Sequence, residues 1–341
     1  MADISQALLD KFGRPARDLR ISVTDRCNFR CVYCMPKEIY GTDFPFLPRR
    51  ELLTFEEITR LATLFSRHGV KKLRLTGGEP LIRRDLDTLI QQLAAIPGIC
   101  DLAMTTNGSL LTRDRAQQLR AAGLNRITVS LDALNESVFQ QMNDVSFPVS
   151  RVLEAIEAAA QAGLTPVKIN MVVRKGLNDQ EIEPMAEYFR GTGHVVRFIE
   201  YMDVGTTNGW KLDDVVPAAE ILDRVNRRWP VIPENPSQPG EVARRYRYRD
   251  GHGEIGLIAS VTQPFCHSCT RSRLSPDGRL YTCLFGVDGR DLRELLRSGA
   301  SDAVLSDVIG SIWTARNDRY SADRQAESPP LPKVEMFRIG G

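Results

Sequence analysis

No apolar run in this chain reaches the length needed to cross a membrane, so no membrane partner is expected. The opening stretch, Met1 to Asp10, lacks the basic-then-apolar layout of a secretory signal, and a cytoplasmic protein is expected. Charge of one dominant sign is also missing: 45 Lys and Arg face 43 Asp and Glu, for a formal net charge of +2. That balance is no footprint of a general nucleic-acid binder, so no nucleic-acid partner is expected, and an anionic ligand would need a local basic cluster. In a reducing compartment the seven cysteines point to metal binding before disulfides. Six fall into two groups. Cys100 is left over and is expected to be a buried apolar residue.

The first group is Cys27-Asn28-Phe29-Arg30-Cys31-Val32-Tyr33-Cys34. Thiolates are soft ligands that select iron–sulfur clusters, zinc or cuprous copper. Three thiolates on a four-iron cluster leave one iron open for chemistry, as an open zinc is left in a catalytic site. A zinc knuckle would add a fourth Cys or His nearby, and no His follows until His68. The second group is Cys266-His267-Ser268-Cys269 with Cys283. Its first pair has zinc-knuckle spacing, so zinc stays open there, although His267 lies between two ligands of a tight turn and is poorly placed to join them.

From Asp18 to about Met202, short β-branched runs alternate with amphipathic ones. The pattern predicts strands at Leu19–Val23, Lys72–Thr76, Leu102–Thr106, Arg126–Leu131, Val167–Val173 and Val196–Tyr201. Helices are expected from the Thr54 cap to His68, and over Asp85–Ala95, Thr112–Ala122, Ser150–Ala162, Asn178–Arg190 and Pro217–Arg228. Six such units argue for parallel strands with helices outside, either a doubly wound sheet or an open barrel. In such folds the chemistry sits at the carboxyl ends of the strands. There this chain places the first cysteines, Gly77-Gly78-Glu79-Pro80, Thr105 to Gly108, Ser130 and Met202, with Lys168 and Asn170 on the fifth strand. Two glycines would let the backbone approach a ligand closely. Pro230–Pro239 reads as a linker, and strands are expected over Val242–Arg249 and Glu254–Ser260.

C-x₃-C-x-aromatic-C resembles the signature loop of radical S-adenosylmethionine (SAM) enzymes. The resemblance implies an α/β fold, a partial (βα)₆ TIM-like barrel. It makes Cys27, Cys31 and Cys34 ligands of a [4Fe–4S] cluster and lays Tyr33 beside the adenine of SAM. Gly77-Gly78-Glu79-Pro80 resembles the family's ammonium-binding motif, so Gly78 and Glu79 are expected SAM contacts, with Thr105, Ser130 and Met202.

Cys266-x₂-Cys269-Thr270-Arg271-Ser272-Arg273 with Cys283, and the terminal Gly340-Gly341, resemble the GTP 3′,8-cyclases of molybdenum cofactor biosynthesis. That resemblance implies a core over 1–232 and a smaller α+β C-terminal domain over 233–341. It implies a second [4Fe–4S] cluster on Cys266, Cys269 and Cys283, whose open iron takes the guanine of GTP. Catalysis is then expected from Cys27, Cys31, Cys34, Arg271 and Arg273. Arg forks match phosphate oxygens, so Arg20, Arg271 and Arg273 are first candidates for the triphosphate, then Arg74, Lys72, Lys168 and Arg197. Asn107 is open to either ligand. Gly340 and Gly341 are expected to reach into the active site. Implied partners are a flavodoxin-like or ferredoxin-like electron donor and cyclic pyranopterin monophosphate synthase, and a homodimer is compatible. The rivals are a peptide-modifying radical SAM enzyme with an auxiliary cluster, and a zinc-stabilised nucleotide- or RNA-binding protein.

Overall fold

The computed structural model describes residues 8–238, 240–324 and 333–340. Its parallel strands are β1 Asp18–Ser22, β2 Lys72–Thr76, β3 Asp101–Thr106, β4 Arg126–Ser130, β5 Lys168–Val173 and β6 Val195–Glu200. They pair in chain order. The helices of this half are α1 Phe55–Arg67, α2 Leu86–Ala94, α3 Arg113–Ala121, α4 Glu136–Asn143, α5 Val149–Gln161, α6 Ile182–Phe189 and α7 Ala218–Arg228. Thr54 starts α1 through a capping box: its hydroxyl accepts from the Glu57 N–H, and the Glu57 carboxylate accepts from the Thr54 N–H.

Alternation along the strands sets up the site. Leu19, Ile21, Leu73, Leu75, Ile169 and Met171 are fully buried in the main core, which also holds Leu61, Leu64, Phe65, Leu89 and Leu93 of the helices. A strand sends successive side chains to opposite faces. The residues between those apolar positions, namely Arg20, Lys72, Arg74, Lys168 and Asn170, therefore point into the barrel.

The C-terminal half extends this sheet at both edges. Its strands are β7 Val231–Glu234, β8 Arg244–Tyr248, β9 Glu254–Ile258, β10 Arg271–Leu274, β11 Arg279–Tyr281 and β12 Arg290–Asp291. The order β12-β11-β10-β1-β2-β3-β4-β5-β6-β9-β8-β7 makes one twelve-stranded sheet. β10 lies parallel to β1, and β9 lies parallel to β6. Both outer strands of the partial barrel are thus paired, which removes two open edges. The remaining helices are α8 Arg293–Arg297, α9 Asp302–Ala315, α10 Tyr320–Asp323 and α11 Met336–Ile339.

Two expectations need correction. The proline-rich stretch read as a linker contains β7, and the position 232/233 falls inside it. Pro233 is tolerated because β7 is the outermost strand, where a missing N–H breaks no inner ladder. Cys100 is exposed, not buried. It sits just ahead of β3, where its thiol reaches only the Lys71 carbonyl at 3.5 Å. The eight-residue helix α4 falls where no element was expected; it is capped by Asn135 and closed by Asp144 in the left-handed region, without a glycine to mark its end.

Candidate active site

Two cavities open inside the barrel. The first is lined by Cys27, Cys31, Cys34, Tyr33, Gly77, Gly78, Asn107, Ser130 and parts of the C-terminal helix. The cysteine loop follows β1 and is braced from two sides. Gly78 N–H donates to the Thr24 carbonyl and Glu79 N–H to the Arg26 carbonyl, both at 2.9 Å. A Cβ on Gly77 or Gly78 would collide with those same carbonyl oxygens. The glycine pair is therefore needed for backbone-to-backbone packing, in addition to lining the cavity. From the other side, the end of α4 accepts from Arg30 N–H at 2.9 Å and Val32 N–H at 3.0 Å.

Tyr33 lines the cavity, and its hydroxyl donates to Asp132 at 2.9 Å. The other Asp132 oxygen accepts from the Val172 N–H at 2.8 Å. Burial lifts the Asp132 carboxyl to about 7. Glu79, expected to contact SAM, is 1% exposed and is not in the cavity wall. Its carboxylate accepts from Leu81 N–H at 3.0 Å, Thr106 Oγ1 at 2.7 Å and Asn107 N–H at 2.7 Å. It locks the glycine loop to the end of β3. Asn107 lines this first cavity beside Cys27, not the basic one.

Burial raises all three thiols, Cys27 to about 12, and Cys31 and Cys34 lie close enough to repel further charge. Three half-buried thiols, with Arg30 on the Cys27 carbonyl and no guanidinium or ammonium hydrogen-bonded to their sulfurs, fit a centre that brings its own positive charge, as the iron core does. Among the described residues no three Cys, His, Asp or Glu side chains converge on a single ion. In a four-iron cluster each thiolate takes a different iron, so such convergence is not required.

The second cavity holds Cys266, Cys269 and Cys283 together with Arg20, Lys72, Arg74, Lys168, Arg197, Arg271 and Arg273. Strand register assembles the basic residues. Arg273 stands opposite Arg20, and Arg20 opposite Arg74, across three neighbouring strands. Like charges placed directly opposite destabilise a sheet, so the row favours an anion between its members. Burial, then mutual repulsion, lowers Arg20 well below its ordinary value, Arg273 to about 10 and Arg197 to about 9. The Nε atoms of Arg197, Arg271 and Arg273 are buried without partners, as is the Asn170 carbonyl oxygen. Orphaned buried donors are costly and fit a bound acceptor group. Lys72 is partly committed already, with Asp18 at 3.7 Å and Asp101 at 3.6 Å.

Cys269 differs from the first thiols. Burial raises it, but Arg271 and Arg316 outweigh burial and bring it down to about 6. Both guanidiniums donate to its sulfur, at 3.4 Å and 3.3 Å. Arg14 supports the same loop by donating to the Cys266 carbonyl at 2.7 Å. Neither Arg14 nor Arg316 stands beside a cysteine or at a barrel strand end in the sequence, so no local pattern marks them.

The cavities share Thr105, Asn170, Ile199 and Met202 as a common wall. The C-terminal segment bridges them. Phe337 is buried against Met35 and Tyr40, with Phe44 and Phe46 around it. The Gly340 carbonyl accepts from Arg20 at 3.4 Å. Gly341 lies outside the described residues.

Lys168 yields a pH prediction. Burial, then Arg197, Arg126, Arg74 and Lys72, lowers it to about 7. A bound polyanion favours the ammonium form, so binding takes up a proton wherever free Lys168 is neutral. Affinity for a polyphosphate ligand should be full below about pH 7 and fall above it, by at most about tenfold per pH unit. Anaerobic equilibrium binding from pH 6.5 to 9 checks this, and Lys168→Arg should flatten the decline.

Residues 21–189 match the Radical SAM superfamily, and residues 194–322 match Molybdenum Cofactor Synthesis C. A protein of Acidothermus cellulolyticus named GTP 3′,8-cyclase is 57% identical, over 99% of this chain and all of the relative. One of Staphylococcus aureus with the same name is 49% identical, over 98% of this chain and 99% of its own length. The structure of Streptococcus suis SuiB bound to S-adenosylmethionine superposes with a TM-score of 0.61, covering 87% of this chain and 69% of that one. At 15% identity it supports the fold alone. With a sheet built on the radical SAM plan and near-complete coverage of these relatives, the chain belongs to the GTP 3′,8-cyclase family of radical SAM enzymes.

Proposed function

We propose that this chain converts GTP to (8S)-3′,8-cyclo-7,8-dihydroguanosine 5′-triphosphate, the first step of molybdenum cofactor biosynthesis, and that it does so with two [4Fe–4S] clusters. The observation that carries the reading is the joining of two cavities. One is built around three half-buried thiols, and the other around three more thiols and a row of guanidiniums, of which Arg197, Arg271 and Arg273 keep a partnerless Nε.

Cys27, Cys31 and Cys34 hold the first cluster. When bound, it supplies the electron that cleaves SAM to methionine and a 5′-deoxyadenosyl radical. Tyr33, fixed by Asp132, lies along the adenine, and Gly78, Thr105, Ser130 and Met202 shape the rest of the SAM site. Cys266, Cys269 and Cys283 hold the second cluster, against which the guanine sits. Arg271, Arg273 and Arg20 grip the triphosphate, with Arg74, Lys168 and Arg197 behind them. The shared wall brings the two ligands into contact, so the 5′ carbon is delivered to the ribose 3′ hydrogen by proximity. The substrate radical then closes onto C8 of guanine, leaving an N7-centred radical that a second electron from the external donor and a proton convert to the 7,8-dihydro product. Burial of the cavity keeps water away from both radicals. A flavodoxin-like or ferredoxin-like donor supplies both electrons, and cyclic pyranopterin monophosphate synthase takes the product.

The test is the triple variant Cys266→Ala, Cys269→Ala, Cys283→Ala. It should keep about half of the iron, still cleave some SAM, and form no cyclised nucleotide. Zinc in the anaerobic wild-type protein at this site would overturn the two-cluster reading.

A further inference from the structure

The three sulfurs of the first cysteine group have unequal surroundings. Cys27 accepts from the Phe29 N–H at 3.4 Å, with the Asn107 amide at 3.8 Å. Cys34 packs against the cluster of Met35, Tyr40 and Phe337. Cys31 instead faces the carbonyl oxygen of Asn143 at 3.4 Å.

Asn143 is the last residue of α4 and is 3% exposed. Its side-chain nitrogen is buried with no partner at all. Its backbone is fixed, because the Asn143 carbonyl accepts from Arg30 N–H within the cysteine loop. Two oddities therefore meet at one side chain: an amide NH₂ with nothing to donate to, and a carbonyl oxygen against the sulfur. The arrangement suits a protonated thiol, which donates. It does not suit a ligating thiolate, which only accepts. A half-turn of the amide, whose oxygen and nitrogen have the same shape, turns the clash with a thiolate into a donation and leaves the amide oxygen where the unpartnered nitrogen stood. The nitrogen then takes the oxygen's place near the sulfur.

We propose that Asn143 donates an N–H···S hydrogen bond to the Cys31 thiolate and thereby raises the reduction potential of the cluster held there. The proposal rests on the reading of Cys27, Cys31 and Cys34 as cluster ligands. A donor to a ligating sulfur stabilises the reduced form, which carries one more negative charge. With Asn143 turned, Cys31 as well as Cys27 receives an N–H, from α4 and from the loop itself. Asn143 is a positioning residue. It touches neither SAM nor GTP and acts through Cys31.

The experiment uses the full chain, reconstituted anaerobically with both clusters, and follows potentiometric titration by EPR. The first cluster is the signal that changes on addition of SAM. Asn143→Leu removes the donor at similar volume. Asn143→Asp is isosteric, guards against a folding failure of the leucine variant, and places a negative charge by the sulfur. The potential should fall in the order wild type, Asn143→Leu, Asn143→Asp. Each step should shift the reduced fraction at fixed poise by about tenfold, or about 59 mV for one electron. Iron content should stay at the wild-type level in at least the aspartate variant. An unchanged potential in an iron-replete variant overturns the proposal. A wild-type protein with no SAM-responsive signal overturns the underlying cluster reading instead, so the two failures are distinct.

Discussion

Alanine at Cys27, Cys31 and Cys34 together should abolish SAM cleavage and leave about half of the iron in place. The three thiols line one cavity and are the only cysteines in its wall. The other ligand group lies just before β10 and just after β11, in the second cavity. The fold should survive the change, because two of the three side chains only pack against the edge of the main core, while the loop is held by backbone hydrogen bonds in which the carbonyls of Thr24, Arg26, Met142 and Asn143 accept from Gly78, Glu79, Val32 and Arg30. Loss of activity without loss of structure is thus the expected pattern. It is measured as iron per chain, melting temperature and 5′-deoxyadenosine formed under reducing conditions. Continued SAM cleavage by an intact triple variant would move the radical chemistry elsewhere.

Gly340→Ala should cut cyclised product by roughly a hundredfold or more, equivalent to about 3 kcal/mol of lost positioning. Gly340 has φ +70°, a conformation that side chains rarely adopt. An added Cβ would also collide with Thr76 Cγ2 at the end of β2. Strand end and tail cannot both keep their places, so the tail backs out and its carbonyl leaves Arg20. Phe337 and Ile339 keep the preceding turn anchored, at 1% and 0% exposure. Cluster content and uncoupled SAM cleavage should therefore stay near wild type, while radical and substrate lose their alignment. Normal product yield would show that the buried tail only fills space.

The parallel strands were legible because apolar and charged residues alternate so regularly along them. Leu-Arg-Ile and Leu-Arg-Leu, at positions 19–21 and 73–75, have one reading as a strand with an apolar outer face and a basic inner one. The cysteine groups were legible from spacing. Other features depend on partners far away in the chain. β10 pairs with β1 across some 250 positions, and nothing local to Arg271–Leu274 announces a parallel neighbour. The same holds for Arg316 on Cys269. The double glycine was read as approaching a ligand, yet its tightest neighbours are the carbonyls of Thr24 and Arg26. Glu79 belongs to the same motif, and its hydrogen bonds to Leu81, Thr106 and Asn107, which no spacing announces, add a bracing role. The α4 helix escaped notice through its shortness, and with it went Asn143.

The most direct test of the account is anaerobic turnover of GTP carrying deuterium at the ribose 3′ position, with SAM and reductant, followed by mass spectrometry of the 5′-deoxyadenosine. The account predicts transfer of one deuterium into 5′-deoxyadenosine, together with a cyclised nucleotide that has lost it. Unlabelled 5′-deoxyadenosine accompanying the cyclised product would contradict the placement of the two ligands across the shared wall.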